Sequence, residues 1–226
     1  MLKIGDFLSA FYPNNCTSCQ EGLVKGESYI CLNCELNFGE TIFFSNILSD
    51  IEQLFWGKVK IESAFALYQY LKEEKLQQII HEFKYQGNHR LAVKMGEIIG
   101  LNYKFISKDI DAISFVPLHP SKQKKRGYNQ AQKLAEGFSN ITGKKVIHLL
   151  KRFENTETQT DKGVFERFKN MEDKFRVVNV FNEIKHVLLI DDVITTGATL
   201  AACASKLTKK GIRVSVVSLS YRGLNF

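Results

Sequence analysis

The sequence predicts an α/β protein in which a mainly parallel sheet is flanked by helices and is preceded by a small four-cysteine module. From Asp111 onward, short apolar runs alternate with amphipathic segments, which is the pattern of βαβ units. Residues 187–190 and 214–217 are apolar runs of the kind found in strands buried on both faces of a parallel sheet. Two Cys-x-x-Cys pairs near the start indicate the separate module.

Length and composition are those of a folded protein. A chain of 226 residues suits one α/β domain with a small appendage. The hydrophobic fraction of 44%, with only three prolines, argues against long disordered segments. The net charge of +7 favours polyanionic partners such as nucleic acids, nucleotides or sugar phosphates, without choosing among them.

The first residues carry no secretory or membrane signal. Residues 1–12 include Lys3 and Asp6, and nowhere does the chain run through about eighteen uninterrupted apolar residues. We therefore expect a cytoplasmic protein without membrane insertion.

Four cysteines have the spacing of a zinc ribbon or zinc finger. Cys16 and Cys19 form one pair, Cys31 and Cys34 form the other, and eleven residues separate the pairs. Four thiolates complete a tetrahedron around Zn²⁺, which is the arrangement of a structural site. Two disulfides or a redox dithiol are the alternative, and a reducing compartment disfavours them. Cys203 lies alone in a predicted helix, where a small core residue is expected.

The elements follow in a simple order. The predicted organisation is a zinc module at 1–40, a linking segment at 41–59 and the main domain at 60–226. Strands are predicted at 63–71, 112–116, 146–150, 186–190 and 213–220, and helices at 75–84, 90–105, 128–142 and 198–210.

The segment 187–199 has the form of a phosphate-binding turn between a strand and a helix. The amides at a helix start are a ready anion site, Gly197 permits unusual backbone angles, and three threonines add hydroxyl groups. Asp191 and Asp192 at the strand tip are acceptors suited to a vicinal diol, so ribose 5-phosphate matches the segment. The alternative is an ordinary helix cap provided by Thr196. The predicted ligand residues are Asp191, Asp192, Thr195, Thr196, Gly197, Ala198 and Thr199.

A basic loop is predicted after the strand that ends at Val116. It lies at the carboxyl end of a strand, and Lys124, Lys125 and Arg126 are candidates for contacts with a polyanionic ligand. A solvated charge run is the alternative for each lysine, and His119 has the alternative of a polar turn residue. Residues 151–174 lack an apolar period, which predicts a functional loop or a disordered stretch.

These motifs together resemble known families. Residues 187–199 resemble the binding motif for phosphoribosyl pyrophosphate (PRPP) of type I phosphoribosyltransferases, which implies that fold and Mg²⁺ bound with the pyrophosphate. The paired cysteines, Lys84-Tyr-Gln-Gly87, the run at 117–130 and the pattern at 159–170 extend the resemblance to the ComF family over almost the whole chain. By this resemblance, residues 151–174 would form a mobile flap that closes over PRPP. Four residues match motif positions that imply contacts with the pyrophosphate or with this flap: Lys84, Arg126, Asn129 and Arg167. Around Gln159 the sequence departs from the family pattern, so details of the flap are not carried over.

The resemblance implies a PRPP-binding protein of natural transformation that acts in DNA uptake, binds single-stranded DNA and works with other DNA-uptake proteins. Basic residues mixed with aromatic ones, as at 124–128 and 151–153, are typical of single-strand binding. The alternative is an active phosphoribosyltransferase that moves phosphoribose to a small base or amine and releases pyrophosphate. A PRPP-sensing regulator is a third, weaker possibility, because no helix-turn-helix is evident. No residue is assigned as catalytic.

Overall fold

The computed structural model describes residues 15–38, 50–69, 74–103, 109–153, 171–179 and 181–223. The strands are β1 (Ala64–Gln69), β2 (Ala112–Phe115), β3 (Leu150–Arg152), β4 (Phe175–Val177), β5 (His186–Ile194) and β6 (Arg213–Tyr221). The helices are α1 (Leu32–Leu36), α2 (Glu74–Tyr85), α3 (His89–Tyr103), α4 (Pro120–Arg126), α5 (Gln130–Thr142) and α6 (Ala198–Thr208).

The main sheet has the order β1-β6-β5-β2, and every neighbouring pair is parallel. Its two central strands, β5 and β6, are almost entirely buried over the paired residues, which explains their continuous apolar sequences. The predicted class is confirmed: a mainly parallel sheet flanked by helices, with a small N-terminal four-cysteine module.

Helices cover both faces of the sheet because alternate strand residues point to opposite sides. Leu188 and Ile190 of β5 pack with α2, α3 and α5 in one core. Val187 and Leu189 pack with α6 in a second core, which also contains Phe55 from the segment before β1. All parallel strands end at one edge of this three-layer body, so the loops after β2 and β5 meet there.

Two glycines allow α3 and α5 to approach each other closely. A Cβ on Gly96 would lie 2.1 Å from the carbonyl oxygen of Leu134, and one on Gly137 would lie 1.9 Å from the carbonyl oxygen of Val93. Backbone contact therefore replaces side-chain contact at this crossing, and no larger residue fits.

The predicted strand at 146–150 is wrong. Only Val146 pairs with the main sheet, through a single parallel bridge to Ile113. The chain then leaves the edge and forms β3, which pairs antiparallel with β4 in a separate two-stranded sheet. Leu149 and Leu150 are fully buried in the core under α6, so their apolarity reflects packing rather than a place in the main sheet.

The predicted basic loop contains a helix. Pro120 occupies the first turn of α4, His119 caps it by accepting a hydrogen bond from the Ser121 amide, and Gly127 ends it with a φ of 79°. Lysine and arginine are good helix formers, and the charge run was interpreted as a loop because it has no apolar face. The strand β5 also runs four residues past its predicted end, through both aspartates to Ile194.

Within the part of the chain that the structure describes, no helix combines the length and apolarity needed to span a bilayer.

Candidate functional site

Two adjacent acids lie at the carboxyl edge of the main sheet. Asp191 and Asp192 occupy consecutive positions in β5, and Asp191 is in register with Ser218 of β6. Lys84, at the end of α2, forms an ion pair with Asp192 at 2.8 Å, and these two side chains are only 18% and 16% exposed. The Asp192 amide donates to Oδ1 of Asp191 at 2.9 Å. One acid is thus paired with a cation and the other with a backbone amide.

The environment of Asp191 favours its protonated form. Burial, followed by the charge of Asp192, raises the pKa of Asp191 to about 8, while the Asp192 amide, Lys84 and Arg152 act in the opposite direction. Near neutral pH the two acids therefore carry fewer negative charges than two exposed carboxylates would. Such a pair suits sugar hydroxyls or a cation, either of which relieves the repulsion.

The turn after β5 forms an open helix start. Gly197 has a φ of 69° and is the N-cap residue of α6, where it has no side chain to cap the helix. Thr196 Oγ1 accepts a hydrogen bond from the Ala198 amide at a long 3.4 Å. Residues 195–200 and Asp191 enclose a hollow of about 40 Å³. The cap by Thr196 is therefore weak, and the dipole of α6 points its positive end into the hollow.

The segment before β1 supports this turn. The side chain of Leu54 packs against Gly197, where an added Cβ would lie 3.1 Å from the Cβ of Leu54. Lys58 Nζ donates to the carbonyl of Leu54 at 2.7 Å and to the carbonyl of Thr196 at 3.4 Å. No local pattern predicts this contact, because Lys58 and Thr196 are 138 positions apart.

A cavity of about 220 Å³ joins the acids to the basic side chains. Among the predicted site residues that line it are Lys84, Arg126, Asn129, Asp191, Asp192 and Thr199. Lys122 and Arg152 line it too, although neither was predicted as a PRPP-site residue and Arg152 was named only within the possible single-strand-binding run at 151–153. Residues more than a hundred positions apart therefore meet in one cavity at the carboxyl edge of the sheet.

Several predicted site residues also have structural contacts. Asn129 caps α5 by accepting a hydrogen bond from the Ala131 amide, and its Nδ2 donates to the Val116 carbonyl. His119 caps α4. Lys124 and Lys125 lie exposed on α4, and Arg167 falls outside the described residues.

Arg126 is held in place on the wall of the cavity. Its Nη1 donates to Gln130 Oε1 at 2.9 Å, and its guanidinium lies 5.1 Å from the ring centre of Tyr85. The Tyr128 hydroxyl donates to the Phe83 carbonyl, which ties the end of α2 to the start of α5. The cations on α2 and α4 are thus positioned by contacts between those elements.

Arg152 is the most informative residue that the sequence analysis missed as a site candidate. Its guanidinium lies 5.4 Å from the ring centre of Phe175, and its Nε is buried and has no hydrogen-bond partner among the residues that the structure describes. Its charge lowers the pKa of Asp191, although burial and Asp192 have larger opposite effects. A buried N–H group without an acceptor is costly, and an anion bound in the cavity would supply one.

The four cysteines of the module meet at one point. All four Sγ atoms lie within 4.8 Å of one another, and Cys19 and Cys31 are 3.7 Å apart. Sulfur atoms around a tetrahedral Zn²⁺ ion are separated by about 3.8 Å. The amides of Cys31 and Cys34 point at the sulfurs of Cys16 and Cys31, at 3.3 and 3.4 Å. These cysteines could hold a metal ion, and they are free thiols rather than disulfides.

The thiol group of Cys34 shows why the cluster needs a cation. Burial, together with neighbouring sulfur atoms, raises the pKa of Cys34 to about 12, despite an opposing hydrogen bond from Ser18. Four thiolates so close together repel each other unless a divalent ion lies between them. The donor set and spacing therefore fit zinc.

The fold and these two sites define a parallel α/β protein with a cavity lined by acids and cations at the carboxyl edge of its sheet and a cluster of four cysteines that could hold a metal ion. The chain is similar to competence protein F of Haemophilus influenzae, with 25% identity over 222 residues, 89% of this chain and 94% of that protein. It is also similar to competence protein ComFC of Bacillus subtilis, with 28% identity over 210 residues, 91% of this chain and 82% of that protein. DNA utilization protein YhgH of Escherichia coli K12 is 26% identical over 142 residues, 60% of this chain and 62% of that protein. The resemblance to ComF proteins is confirmed, while no family model matches the chain.

Solved phosphoribosyltransferases are among the structural neighbours. Glutamine PRPP amidotransferase from B. subtilis aligns with a TM-score of 0.42 and 18% identity, over 62% of this chain and 30% of that chain. An adenine phosphoribosyltransferase aligns with a TM-score of 0.38 and 14% identity, over 68% of this chain and 82% of that chain. These similarities are weak, and nothing about function follows from them.

Proposed function

We propose that the protein binds PRPP at the carboxyl edge of its sheet and acts in DNA uptake during natural transformation. One observation carries the proposal: a single cavity unites Asp191 and Asp192 with Lys84 and Arg126, and it adjoins the open start of α6. The names of the relatives, competence protein F and ComFC, support the cellular role.

The three parts of PRPP match three parts of the edge. The 5-phosphate would accept hydrogen bonds from the turn at 195–199, where the amides and dipole of α6 favour an anion. The ribose hydroxyls would donate to Asp191 and Asp192. The pyrophosphate would face the cations on α2, α4 and β3, with Mg²⁺ held mainly by its oxygens and by water.

The direct test is titration calorimetry of the full chain with PRPP, with and without Mg²⁺. Asp191→Asn combined with Asp192→Asn should abolish PRPP binding. Amides are weaker acceptors for the ribose hydroxyls than carboxylates are, and they carry no negative charge to stabilise Mg²⁺. Asp173→Asn is the matched control, because Asp173 is an exposed acid that pairs with Lys206 outside this cavity. Unchanged affinity in the double variant would exclude the assignment.

We also propose that the ion bound by the four cysteines is Zn²⁺ and that its role is structural. Four thiolate ligands leave no position open for a substrate. Metal analysis of the protein used for titration should give one zinc per chain, and the double aspartate variant should keep it.

Single-stranded DNA is the proposed macromolecular partner. Two cations contact the ring of Phe153: Lys151 Nζ lies 5.5 Å and the Arg176 guanidinium 4.8 Å from the ring centre. Tyr85 is 58% exposed beside Arg126. Aromatic rings can stack on bases, and the cations beside them can neutralise phosphates. Labelled single strands should bind at low salt and dissociate as salt is raised, and no retention even at low salt would contradict DNA binding.

Catalysis is the second candidate function, favoured by Arg152, whose Nε has no hydrogen-bond partner among the described residues and whose charge lowers the pKa of Asp191. In a transfer, a nitrogen of the acceptor forms a bond to C1 of the ribose while the bond from C1 to the pyrophosphate oxygen breaks. Pyrophosphate leaves with the electron pair, and a proton on the acceptor nitrogen passes to solvent. Pyrophosphate release over a panel of acceptors tests this, and no turnover with PRPP bound would contradict it.

A further inference from the structure

The small sheet of β3 and β4 is separate from the main sheet, yet it carries Arg152 to the cavity with the acids. Two strands by themselves are marginally stable, so contacts outside the pair must hold them in place. Leu150 and Phe175 supply apolar contacts, since both are fully buried in the core that contains α6. Apolar burial is non-directional, and it does not by itself fix where the two strands lie along the helix.

A buried acid just before β4 supplies a directional contact with α6. Glu172 is 6% exposed. Its Oε1 accepts hydrogen bonds from Ser205 Oγ at 3.0 Å and from Lys209 Nζ, and Lys206 Nζ lies 3.8 Å from it. Ser205 and Lys206 lie in the last turns of α6, and Lys209 is the C-cap residue of that helix. Glu172 therefore ties the segment before β4 to the carboxyl end of α6.

The carboxyl group of Glu172 is ionised at neutral pH. Burial by itself would raise the pKa of Glu172, but hydrogen bonds from Lys209 and Ser205, with the charges of Lys206 and Lys209, outweigh burial and lower that pKa below its usual value. A buried carboxylate is stable only while its partners stay in place. The charge of Glu172 thus restricts where the start of β4 can lie.

The same helix also begins at the proposed phosphate turn. Gly197 is the N-cap residue of α6, and the helix continues for eleven residues toward the lysines that contact Glu172. Phe175 of β4 is in register with Arg152 of β3, and the Arg152 guanidinium lies 5.4 Å from the centre of its ring. Because a helix is a rigid element, α6 relates the position of the turn to the position of Arg152.

We propose that Glu172 is a positioning residue for PRPP: it fixes β4 on α6, which fixes Phe175 beside Arg152 and places the guanidinium group against the pyrophosphate. The inference rests on the proposed PRPP site. Glu172 is not among the described residues that line the cavity with the acids, so it acts through Arg152 and does not touch the ligand.

A cycle of variants tests the connection, with PRPP and Mg²⁺ titrated into the full chain by calorimetry. Arg152→Gln should weaken PRPP binding by about tenfold, because it removes a cation that faces the pyrophosphate. Glu172→Gln keeps the size of the side chain and removes its charge. It should weaken PRPP binding by about fivefold in the original protein and by less than about twofold in the Arg152→Gln background.

Two further variants control for charge and for folding. Asp173→Asn removes the neighbouring acid, which is 51% exposed and pairs with Lys206 at 3.5 Å, and it should change PRPP affinity by less than about twofold. Lys209→Gln breaks the contact with Glu172 from the side of the helix and should weaken PRPP binding by about threefold. Circular dichroism verifies folding, and Lys209→Gln replaces Glu172→Gln in the cycle if the latter does not fold.

The position of Arg152 is also measurable without any ligand. Arg152 Nε is buried and has no hydrogen-bond partner among the described residues, so its N–H should exchange slowly with solvent. The arginine Nε–H signal that is missing from the nitrogen-15 NMR spectrum of Arg152→Gln identifies it. Glu172→Gln should speed its exchange by about fivefold or more, and Asp173→Asn should leave the rate unchanged.

The outcomes separate this inference from the proposed function. Equal weakening of PRPP binding by Glu172→Gln with and without Arg152, or no weakening at all, would overturn the positioning role even if PRPP binds. If the original protein binds no PRPP, the proposed function is contradicted, while faster exchange of the Arg152 N–H in Glu172→Gln would still support the positioning of Arg152. Unchanged exchange in that variant would overturn the inference whether or not PRPP binds.

Discussion

The ion pair between Lys84 and Asp192 shows how single residues set the properties of the edge. Both side chains are more than four-fifths buried, so each would leave an uncompensated charge if the other were removed. The pair therefore contributes to folding as well as to the charge that a ligand meets.

We predict that Lys84→Met lowers the free energy of unfolding by about 2 kcal/mol, because it leaves Asp192 unpaired beside Asp191. Asp192→Asn introduced into the same background should recover about 1 kcal/mol or more of that loss. Urea denaturation of the single and double variants gives the coupling energy.

The exposed pair Lys133 and Glu136 on α5 is the control for this cycle, with side chains 26% and 36% exposed. Its coupling energy should be about 0.5 kcal/mol or less, because solvent screens it. Equal coupling energies for the two pairs would contradict the role assigned to burial.

Asp191 gives a prediction on pH dependence. Its pKa is raised from 3.8 to about 8, so the folded state binds more protons than the unfolded state between these values and loses stability as pH rises. The Asp191→Asn variant lacks this titratable carboxyl group. The stability of the variant relative to the original protein should therefore increase from pH 5 to pH 9, as measured by urea denaturation. A difference that stays constant with pH would exclude a raised pKa.

At the scale of elements, the start of α6 depends on Gly197. Its φ of 69° disfavours a side chain, and Leu54 occupies the space where a Cβ would point. Gly197→Ala should lower the free energy of unfolding by about 1–2 kcal/mol and weaken PRPP binding in calorimetry.

Gly211→Ala is the matched control, because Gly211 has a φ of 79° but has nothing within 4 Å of an added Cβ. It should show the backbone penalty of about 1 kcal/mol without weaker PRPP binding. Loss of PRPP binding in this variant would mean that the effect is general rather than local to the turn.

The crossing of α3 and α5 gives a second prediction at this scale. Gly137→Ala should lower the free energy of unfolding by about 3 kcal/mol or more, because its Cβ would overlap the Val93 carbonyl and the helices would have to separate. Gly100→Ala, whose nearest contact would be 3.0 Å from a side-chain carbon of Ile141, should cost less. Similar losses for both would contradict the close contact of the two backbones.

At the scale of the whole molecule, the cysteine module shares its core with the main domain. Phe38 packs edge-to-face on Tyr68 of β1 with ring centres 5.2 Å apart, and Cys16, Cys31 and Cys34 belong to the same buried cluster. A metal ion held by these cysteines would therefore stabilise the sheet as well as the module.

We predict that removing the metal with a chelator lowers the melting temperature of the whole chain rather than unfolding the module alone. Cys34→Ser should have the same effect and should reduce the zinc content measured on the purified protein. Cys203→Ala removes the remaining thiol, which is buried on α6, and should keep the zinc. A module that melts separately would contradict the shared core.

Periodicity and turn chemistry predicted most elements of the main sheet. β1, β2, β5 and β6 and helices α2, α3, α5 and α6 all lie where the sequence placed them, within a few residues. The failures were the strand at 146–150 and the loop that became α4. In both cases the local pattern was ambiguous, since buried residues outside a sheet look like strand residues and a short polar helix looks like a charge run.

The sequence by itself determined the parallel α/β class, the clustering of four cysteines and the resemblance to ComF proteins, because these depend on local spacing. Only the tertiary structure decided that Lys84 pairs with Asp192 and that Lys58 supports the turn at Gly197. It also decided that Arg152 lines the cavity with the acids. These contacts join residues tens to more than a hundred positions apart. Their geometry is set by how helices and strands pack, which no local pattern encodes.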